Sequence, residues 1–237
     1  MIIIFDLDGT LLNTIDDLGY ACNFALGQSG YPTHPIADYP KMVGNGINNL
    51  IRRALPVTER TEGNVQYVRI HFVSYYNRHN CDYTRPYDGI RALLATLKAE
   101  GHQLAVASNK YQVATEKIVT HFFPDTFDVI LGERDGVNRK PDPRIVFDIV
   151  ESRMHPTAQA CGDPAQSKVE SEKSKVESSQ VLYIGDSLVD MQTAQNAGVP
   201  FIACSWGFVP RNELVAAGVT HIADTPGQII ELLKERV

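Results

Sequence analysis

The stretch FDLDGTLLN (residues 5–13) follows the apolar start MIII and decides how the rest of the chain is interpreted. In an extended strand, residues i and i+2 point to the same face, so we expect Asp6 and Asp8 to lie close together. Two carboxylates at that separation repel each other, so either one of them takes up a proton or a cation lies between them. Asp8-Gly9 taken alone is also typical of a simple turn. The rest of the sequence must distinguish a site from a turn.

The composition narrows the class of protein. The chain has 237 residues, of which 43% are hydrophobic and 21% charged, as in a globular protein with a substantial core. The net charge is −6 and no block of lysine and arginine stands out, which argues against binding to nucleic acid or to a membrane surface. No stretch approaches ~20 apolar residues and the apolar start has no basic flank, so we expect no membrane span, no signal peptide and a cytoplasmic location.

The cysteines point away from a structural metal or a disulfide framework. Cys22, Cys81, Cys161 and Cys204 are far apart and form no C-x-x-C pair. Closely spaced cysteines are the usual sign of a zinc site or of a small disulfide-stabilised protein. We therefore expect neither in this chain.

Short apolar runs alternate with helical stretches along most of the chain. The runs have little polar alternation, which is typical of strands buried on both faces; they are IIIF (2–5), QLAVAS (103–108), FDVILG (127–132), VLYIGD (181–186), PFIACSW (200–206) and THIAD (220–224). The helical stretches are 90–101, 111–123, 143–154 with Asp142 as N-cap, and 189–198. This alternation predicts an α/β fold with a doubly wound parallel sheet.

Two segments break the alternation. Residues 14–83 contain three amphipathic helical patterns, so we predict a helical module inserted after the first strand, with residues 1–13 and 84–237 forming the core. Residues 155–180 hold a polar tandem repeat, SKVESEK followed by SKVESSQ, in a connection far longer than the usual ~2 to 6 residues. We predict that 155–180 is a flexible insertion, peripheral to the site.

Chemically active residues follow the predicted strands. Asp6 and Asp8 end the first strand, Ser108-Asn109 ends the second immediately before a helix, Gly185-Asp186-Ser187 ends the fourth, and Lys140 precedes a helix N-cap. Each of these residues could instead have a simpler, non-catalytic role, as a helix cap, a turn residue or a solvated lysine. Ligands of open parallel sheets bind at the carboxyl ends of the strands, where these residues would meet.

This set of residues fits a phosphate together with a divalent cation. Asp6, Asp8 and Asp186 offer the oxygen ligands that Mg²⁺ prefers, and Ser108 with the helix N-terminus behind it supplies donors to phosphate oxygens. Lys140 adds a positive charge where the phosphoryl group builds negative charge. Asp6 can then attack phosphorus, and Asp8 can protonate the leaving oxygen and later deprotonate water.

The sequence resembles the phosphatases of the haloacid dehalogenase superfamily. Four motifs occur in that family's order, namely FDLDGTLLN, SN at 108–109, KP at 140–141 and GDSLVD at 185–190. The resemblance covers the whole chain except 155–180. It implies a Rossmann-type core with Asp6 as the nucleophile that forms an aspartyl-phosphate, Asp8 as general acid and base, and Asp186 as a metal ligand.

The same resemblance extends the predicted site. It implies that Asp190 supports the metal or Lys140, and we assign Thr10 a supporting role as well. Gly9 and Asn109 are predicted to join Ser108 and Lys140 in binding phosphate. Asp at position 8 is typical of the family's phosphatases and mutases, which argues against dehalogenase or phosphonatase chemistry.

The helical module 14–83 is similar to the small helical cap of the family, and we refer to it as the cap. Its segment KMVGNGINNLIRRAL (41–55) resembles phosphoglycolate phosphatases, and Gly44-Asn45-Gly46 would let the backbone approach a small anion. A plain helix start remains an alternative for these glycines. A dinucleotide-binding loop does not fit, because no strand precedes them and the third glycine is missing.

The resemblance leads to a magnesium-dependent phosphatase acting on a small phosphorylated metabolite, with 2-phosphoglycolate as the preferred substrate. Sugar-phosphate phosphatase, pyrophosphatase and β-phosphoglucomutase-like activities remain alternatives on the same core. A mutase needs basic residues in the cap, for which Arg52 and Arg53 are candidates. A non-catalytic binding protein of this fold is a further alternative, with the tandem repeat as its interaction site. We expect a monomer or dimer and no nucleic-acid partner, and assign no role to Asp88.

Overall fold

A computed structural model of the chain describes residues 1–154 and 180–234. Its strands are β1 (Ile2–Phe5), β2 (Leu12–Asn13), β3 (Arg85–Pro86), β4 (Gln103–Tyr111), β5 (Val129–Glu133), β6 (Val181–Gly185), β7 (Phe201–Cys204) and β8 (Ile222–Ala223). Its α-helices are α1 (Ile15–Gln28), α2 (Ile47–Ala54), α3 (Glu62–His79), α4 (Ile90–Ala99), α5 (Gln112–Phe122), α6 (Arg144–Met154), α7 (Leu188–Ala197), α8 (Arg211–Ala216) and α9 (Pro226–Lys234). Short 3-10 helices span Ile36–Lys41 and Val57–Glu59.

Six of these strands form a parallel sheet in the order β5-β4-β1-β6-β7-β8. Successive residues of β1 face opposite sides of the sheet, and both sides are buried: Ile3 packs in one hydrophobic cluster and Ile4 in the other. This explains why the strands lack polar alternation. The α/β class and the doubly wound parallel sheet predicted from the sequence are confirmed.

The order of the strands in the sheet determines where the site lies. From β1 the chain moves outward through β4 to β5, then returns to the other side of β1 and continues through β6, β7 and β8. The strand order therefore reverses at β1, and in open α/β sheets ligands bind in the crevice beyond the carboxyl ends at such a point. The residues that follow β1, β4 and β6 are brought together there.

The cap lies between β2 and β3, which pair with each other in antiparallel fashion, Leu12 with Pro86 and Asn13 with Arg85. The chain thus leaves the core and returns to it through two adjacent short strands. Inside the cap, α1 packs along α3 and α2 also contacts α3. The buried side of α3 consists of the aromatic and aliphatic residues that the helical spacing predicted: Val65, Val68, Phe72 and Tyr76.

One local prediction is wrong. The sequence suggested that Ser108-Asn109 stands directly before a helix, but β4 continues to Tyr111 and α5 begins at Gln112. The pairing of β4 with β5 shifts register between Ala107 and Tyr111, so an irregular extended segment separates Ser108 from the helix. Ser108 therefore does not lie at the N-terminus of α5.

The sequence also led us to expect an insertion at 155–180 and no membrane-spanning helix. The predicted insertion 155–180 lies outside the described residues except for its last residue, Gln180. Within residues 1–154 and 180–234, none of the helices combines the length and the apolar character needed to cross a bilayer.

Candidate active site

A cleft with a volume of about 120 Å³ lies between the carboxyl edge of the sheet and the cap. The sheet side contributes Asp6, Ser108 and Asp186, and the cap side contributes the loop 43–46 and one face of α3. Lys140 also lines the cleft. The structure therefore brings together most of the residues that the sequence predicted.

Lys140 forms the centre of a buried ionic network. Its Nζ donates to Oδ1 of Asp6 at 2.9 Å and to Oδ1 of Asp190 at 2.7 Å, and also to the Ala107 carbonyl at 2.9 Å. Only 4% of Lys140 is exposed. Although burial opposes it, the Asp190 and Asp6 carboxylates hold the pKa of Lys140 well above its usual value, so this lysine stays charged.

Asp190 has the supporting position that was predicted for it. Its Oδ2 accepts from the backbone N–H and the hydroxyl of Ser187, forming a capping box at the start of α7, while its Oδ1 holds Lys140. The side chain is fully buried. Because both oxygens are engaged, Asp190 fixes Lys140 against the end of β6.

Three carboxylates carry more negative charge than Lys140 can balance. Asp6, Asp186 and Asp190 each place an oxygen within 4.8 Å of the others. Burial and the Asp190 carboxylate raise the pKa of Asp6 to about 7, against the opposing effect of Lys140. Burial, Asp190 and Asp6 hold the pKa of Asp186 well above its usual range. Such a cluster favours a bound cation, which would let the carboxylates ionise.

Asp186 is held in place by its neighbours. Thr10 donates to its Oδ1 at 3.1 Å, and the Phe208 backbone N–H donates to its Oδ2 at 2.7 Å. Gly9 and Gly207 lie so close that a Cβ on either would come within 2.3 Å of Asp186 atoms. The predicted supporting role of Thr10 has this geometric basis. Gly9 packs against Asp186, and its contact with phosphate stays a prediction.

Asp8 lies apart from this cluster. Its Oδ1 accepts from the Thr14 hydroxyl at 2.7 Å, and its Oδ2 pairs with Nζ of Lys110 at 3.1 Å. β1 ends at Phe5, and Asp8 forms an isolated bridge with Leu12 before the turn that starts at Gly9, so the expectation that Asp6 and Asp8 share a strand face is wrong. In the group of carboxylates that could hold a cation, Asp190 takes the place that the sequence gave to the Asp8 side chain.

The Ser108-Asn109 pair has two separate roles. Ser108 is 2% exposed, lines the cleft, and accepts a 3.2 Å hydrogen bond from the Lys110 backbone N–H. The Asn109 side chain instead holds the backbone of Lys140: its Nδ2 donates to the carbonyl at 3.1 Å and its Oδ1 accepts from the N–H at 2.9 Å. Asn109 thereby positions the loop that carries the buried lysine.

Gly44, Asn45 and Gly46 of the cap loop line the cleft, and each of these three residues has a positive φ: 110°, 61° and 82° respectively. Arg53 stabilises this loop, because its Nη1 donates to the carbonyls of Met42, Val43 and Gly44.

Neither arginine that the sequence suggested as a substrate contact lines the cleft. Arg53 faces the loop carbonyls, and Arg52 pairs with Glu62 at 2.6 Å on an exposed surface. Asp88 is exposed and also lies outside the cleft lining.

Sequence reasoning missed three residues of the site. Lys110 directly follows Ser108-Asn109, but nothing in its position distinguishes it from a solvated lysine until its contacts with Asp8 and with the Tyr76 hydroxyl are seen. Tyr76 was assigned to the core, and it is 1% exposed, but its hydroxyl bonds Lys110 at 2.7 Å. Arg69 was not singled out, although it is spaced three residues before Phe72 on the same helix.

Comparisons with known proteins agree on one family. Residues 3–204 match the model of the haloacid dehalogenase-like hydrolase family. The chain is 30% identical over 237 residues to a phosphoglycolate phosphatase from Cereibacter sphaeroides, with 98% of each chain covered. It is 31% identical over 211 residues to one from Thiobacillus denitrificans, covering 87% of this chain and 83% of that one.

Solved structures give the same result. A candidate phosphoglycolate phosphatase from Lactobacillus delbrueckii subsp. bulgaricus has a TM-score of 0.83 and 31% identity, with 98% of this chain and 97% of that chain covered. A predicted phosphoglycolate phosphatase from Haemophilus somnus has a TM-score of 0.80 and 26% identity, with coverage of 98% and 96%.

Proposed function

Since the chain belongs to the haloacid dehalogenase-like hydrolases and is a phosphatase, we propose that it hydrolyses 2-phosphoglycolate through an aspartyl-phosphate on Asp6. The observation that carries the proposal is the Lys140 network. It holds Oδ1 of Asp6 at 2.9 Å, while Oδ2 of Asp6 accepts no hydrogen bond from the described residues. One oxygen is therefore oriented and the other is available to attack phosphorus.

Lys140 and Ser108 serve the transferring phosphoryl group. The phosphoryl oxygens gain negative charge as the bond to the leaving group breaks, and the buried ammonium of Lys140 stabilises that charge. Ser108, which lines the cleft at the end of the regular part of β4, offers its hydroxyl to one of these oxygens. Asn109 acts through its contacts with the Lys140 backbone.

Asp8 is the proposed general acid and base. In the first step its carboxylic acid form gives a proton to the leaving oxygen, and glycolate departs. In the second step the resulting carboxylate removes a proton from water as the water attacks the aspartyl-phosphate and releases phosphate. Thr14, at the start of the cap segment, and Lys110, which bonds Tyr76 of α3, hold Asp8 where the cap meets the core, and we place the leaving group there.

Asp6 and Asp186, with Asp190 behind them, are the side chains that would hold Mg²⁺. Their oxygens lie within 4.8 Å of one another, close enough for one ion with oxygen ligands at about 2.1 Å after a small adjustment. When bound, the ion offsets the charge of the cluster and polarises a phosphoryl oxygen. The cap excludes water from the site. The cytoplasmic location, the small-metabolite partner and the monomeric or dimeric state stay predictions.

Phosphate release tests the proposal. Wild type, Asp6→Asn and the control Asp88→Asn should be assayed with Mg²⁺ on 2-phosphoglycolate, β-glucose-1-phosphate, pyrophosphate and p-nitrophenyl phosphate. We expect a strong preference for 2-phosphoglycolate that Asp6→Asn abolishes and the exposed control retains. Equal turnover of all four compounds would contradict the substrate, and activity that survives Asp6→Asn would contradict the mechanism.

A further inference from the structure

Among the residues that the structure describes, one cation in the cleft has no partner. The cationic side chains of the described cleft lining are Lys140, Lys110 and Arg69. Lys140 is paired with Asp6 and Asp190, and Lys110 with Asp8. Arg69 forms no ion pair with any described residue and donates no hydrogen bond to one, although it is partly buried.

Arg69 lies on the side of α3 that covers the site. Arg69, Phe72 and Tyr76 are spaced at i, i+3 and i+7 and share one helix face, and all three line the cleft. The Tyr76 hydroxyl bonds Lys110, which fixes this face beside Asp8. Seven residues separate Arg69 from Tyr76, which is about 10 Å along the helix axis, so Arg69 lies toward the other end of this face from the contact between Tyr76 and Lys110.

The charge of Arg69 reaches the sheet side of the cleft. Burial raises the pKa of Tyr111, and the positive charges of Lys110 and Arg69 oppose that rise. Tyr111 is the last residue of β4, the strand that carries Ser108. Arg69 and Tyr111 both line the cleft, so the positive charge of Arg69 lies within electrostatic range of the end of β4.

We infer that Arg69 binds a carboxylate on the leaving group of the substrate, an inference that rests on the proposed phosphatase reaction. A guanidinium matches a planar carboxylate with two parallel hydrogen bonds. One unpaired cation balances the single negative charge of a carboxylate, whereas a second phosphate would need more positive charge than this end of the cleft provides. A neutral sugar would leave Arg69 without a counter-charge.

The other arginines of the cap do not compete for this role. Arg60 lies outside the cleft lining and donates to the carbonyls of Leu55 and Arg53. Arg52 is paired with Glu62, and Arg53 is engaged with loop carbonyls. Arg78 lies on the same helix as Arg69 but is exposed, and its Nε donates to the Ser74 carbonyl. Arg78 thus offers a control with the same charge on the same helix.

The test compares Arg69→Ala, Arg69→Lys and Arg78→Ala on two esters that differ only in the group of interest. 2-Phosphoglycolate carries the carboxylate, and 2-hydroxyethyl phosphate replaces it with a neutral hydroxymethyl group. We expect Arg69→Ala to lower kcat/KM for 2-phosphoglycolate about 10- to 100-fold and to leave the neutral ester nearly unchanged. Arg69→Lys should recover part of the loss, and Arg78→Ala should match wild type.

A binding measurement separates this inference from the proposed reaction. In the Asp6→Asn background, calorimetry with 2-phosphoglycolate and with inorganic phosphate reports binding without turnover. Weaker binding of 2-phosphoglycolate alone after Arg69→Ala supports the inference, even if wild type hydrolyses neither ester and the proposed function fails. Unchanged binding of 2-phosphoglycolate, or an equal loss for both anions or both esters, overturns it.

Discussion

Lys140 forms ion pairs with both Asp6 and Asp190, and each carboxyl group would be left buried without this counter-charge if the lysine were removed. Lys140→Met keeps much of the side-chain volume but breaks both ion pairs. We expect the free energy of unfolding to fall by about 3 kcal/mol, since breaking a buried pair leaves an uncompensated charge, and turnover to be lost. Urea unfolding measures the first effect. A Lys140→Met variant as stable as wild type would contradict the proposed charge balance. Arg144→Met is the control, because it removes a cation from an ion pair at the exposed surface.

The pKa of Asp6 predicts how stability depends on pH. A carboxyl whose pKa is about 7 when folded, against ~3.9 when unfolded, holds its proton more tightly in the folded state. Its contribution to the free energy of unfolding is therefore complete below pH ~4 and is lost as the pH rises to about 7. We expect the free energy of unfolding of metal-free wild type to fall over this pH range, and we expect Asp6→Asn to make that fall smaller.

The ionisation of these carboxylates also makes the stabilising effect of magnesium depend on pH. Because Mg²⁺ binds the ionised carboxylates, its stabilising effect should be larger at pH 8 than at pH 5.5. Thermal unfolding with EDTA or with Mg²⁺ at the two pH values measures the difference. An equal shift at both pH values, or a shift that persists in Asp6→Asn with Asp186→Asn, would contradict binding at this cluster.

At the scale of secondary-structure elements, two glycines let the loops that follow β1 and β7 approach Asp186. A Cβ on Gly207 would lie 2.3 Å from the Asp186 Cβ, and its φ is not in the left-handed region, so the cost of a side chain there is steric. We expect Gly207→Ala to destabilise the fold by about 1 to 3 kcal/mol and to reduce activity by moving Asp186. Gly27, which is helical and has no atom within 4 Å of an added Cβ, is the matched control.

Gly27→Ala should leave activity unchanged and raise stability by about 0.5 to 1 kcal/mol, because alanine is the better helix former. Equal effects of the two substitutions would show that Gly207 is not constrained by Asp186. Chemical unfolding and the phosphate-release assay give both readouts.

The strands were predictable because burial on both faces leaves a simple signature: β1 occupies the apolar run 2–5 as predicted. The helices were predictable from their periodicity and end signals, as in α7, which ends before Gly198. The irregular end of β4 was not predictable, and at Asp8-Gly9 the sequence left a turn and a shared strand face as alternatives. There the backbone follows tertiary contacts, such as those of Asp8 with Thr14 and Lys110, that no local pattern encodes.

At the scale of the whole molecule, the cap and the core share one apolar cluster and are also joined by polar contacts beside the cleft. Tyr76 bonds Lys110, the Tyr111 hydroxyl donates to Asn77, and Lys117 donates to the Asn77 carbonyl at 2.7 Å. These contacts join α3 to β4 and α5 across the cleft. The sequence predicted the cap from its helical patterns, but which residues would join it to the core depends on the folded arrangement.

We expect Tyr76→Phe combined with Asn77→Ala to weaken the closure of the cap. Two hydrogen bonds worth about 1 kcal/mol each would be lost, so KM should rise about 5- to 30-fold with a smaller change in kcat. Steady-state kinetics on 2-phosphoglycolate measure both values. An unchanged KM would mean that these contacts do not control access to the site, and Tyr67→Phe, on an exposed part of α3, is the control.

The central claim is that Asp6 becomes phosphorylated during turnover. The most direct measurement is acid quenching of the Asp8→Asn variant with p-nitrophenyl phosphate and Mg²⁺, followed by mass spectrometry of the N-terminal peptide. The p-nitrophenolate leaving group needs no proton, so Asp8→Asn removes only the base that activates water, and we expect a phosphoryl group to accumulate on Asp6 that is absent from the Asp6→Asn, Asp8→Asn double variant. Phosphorylation at another residue, or its absence from a variant that still releases p-nitrophenol, would contradict the claim.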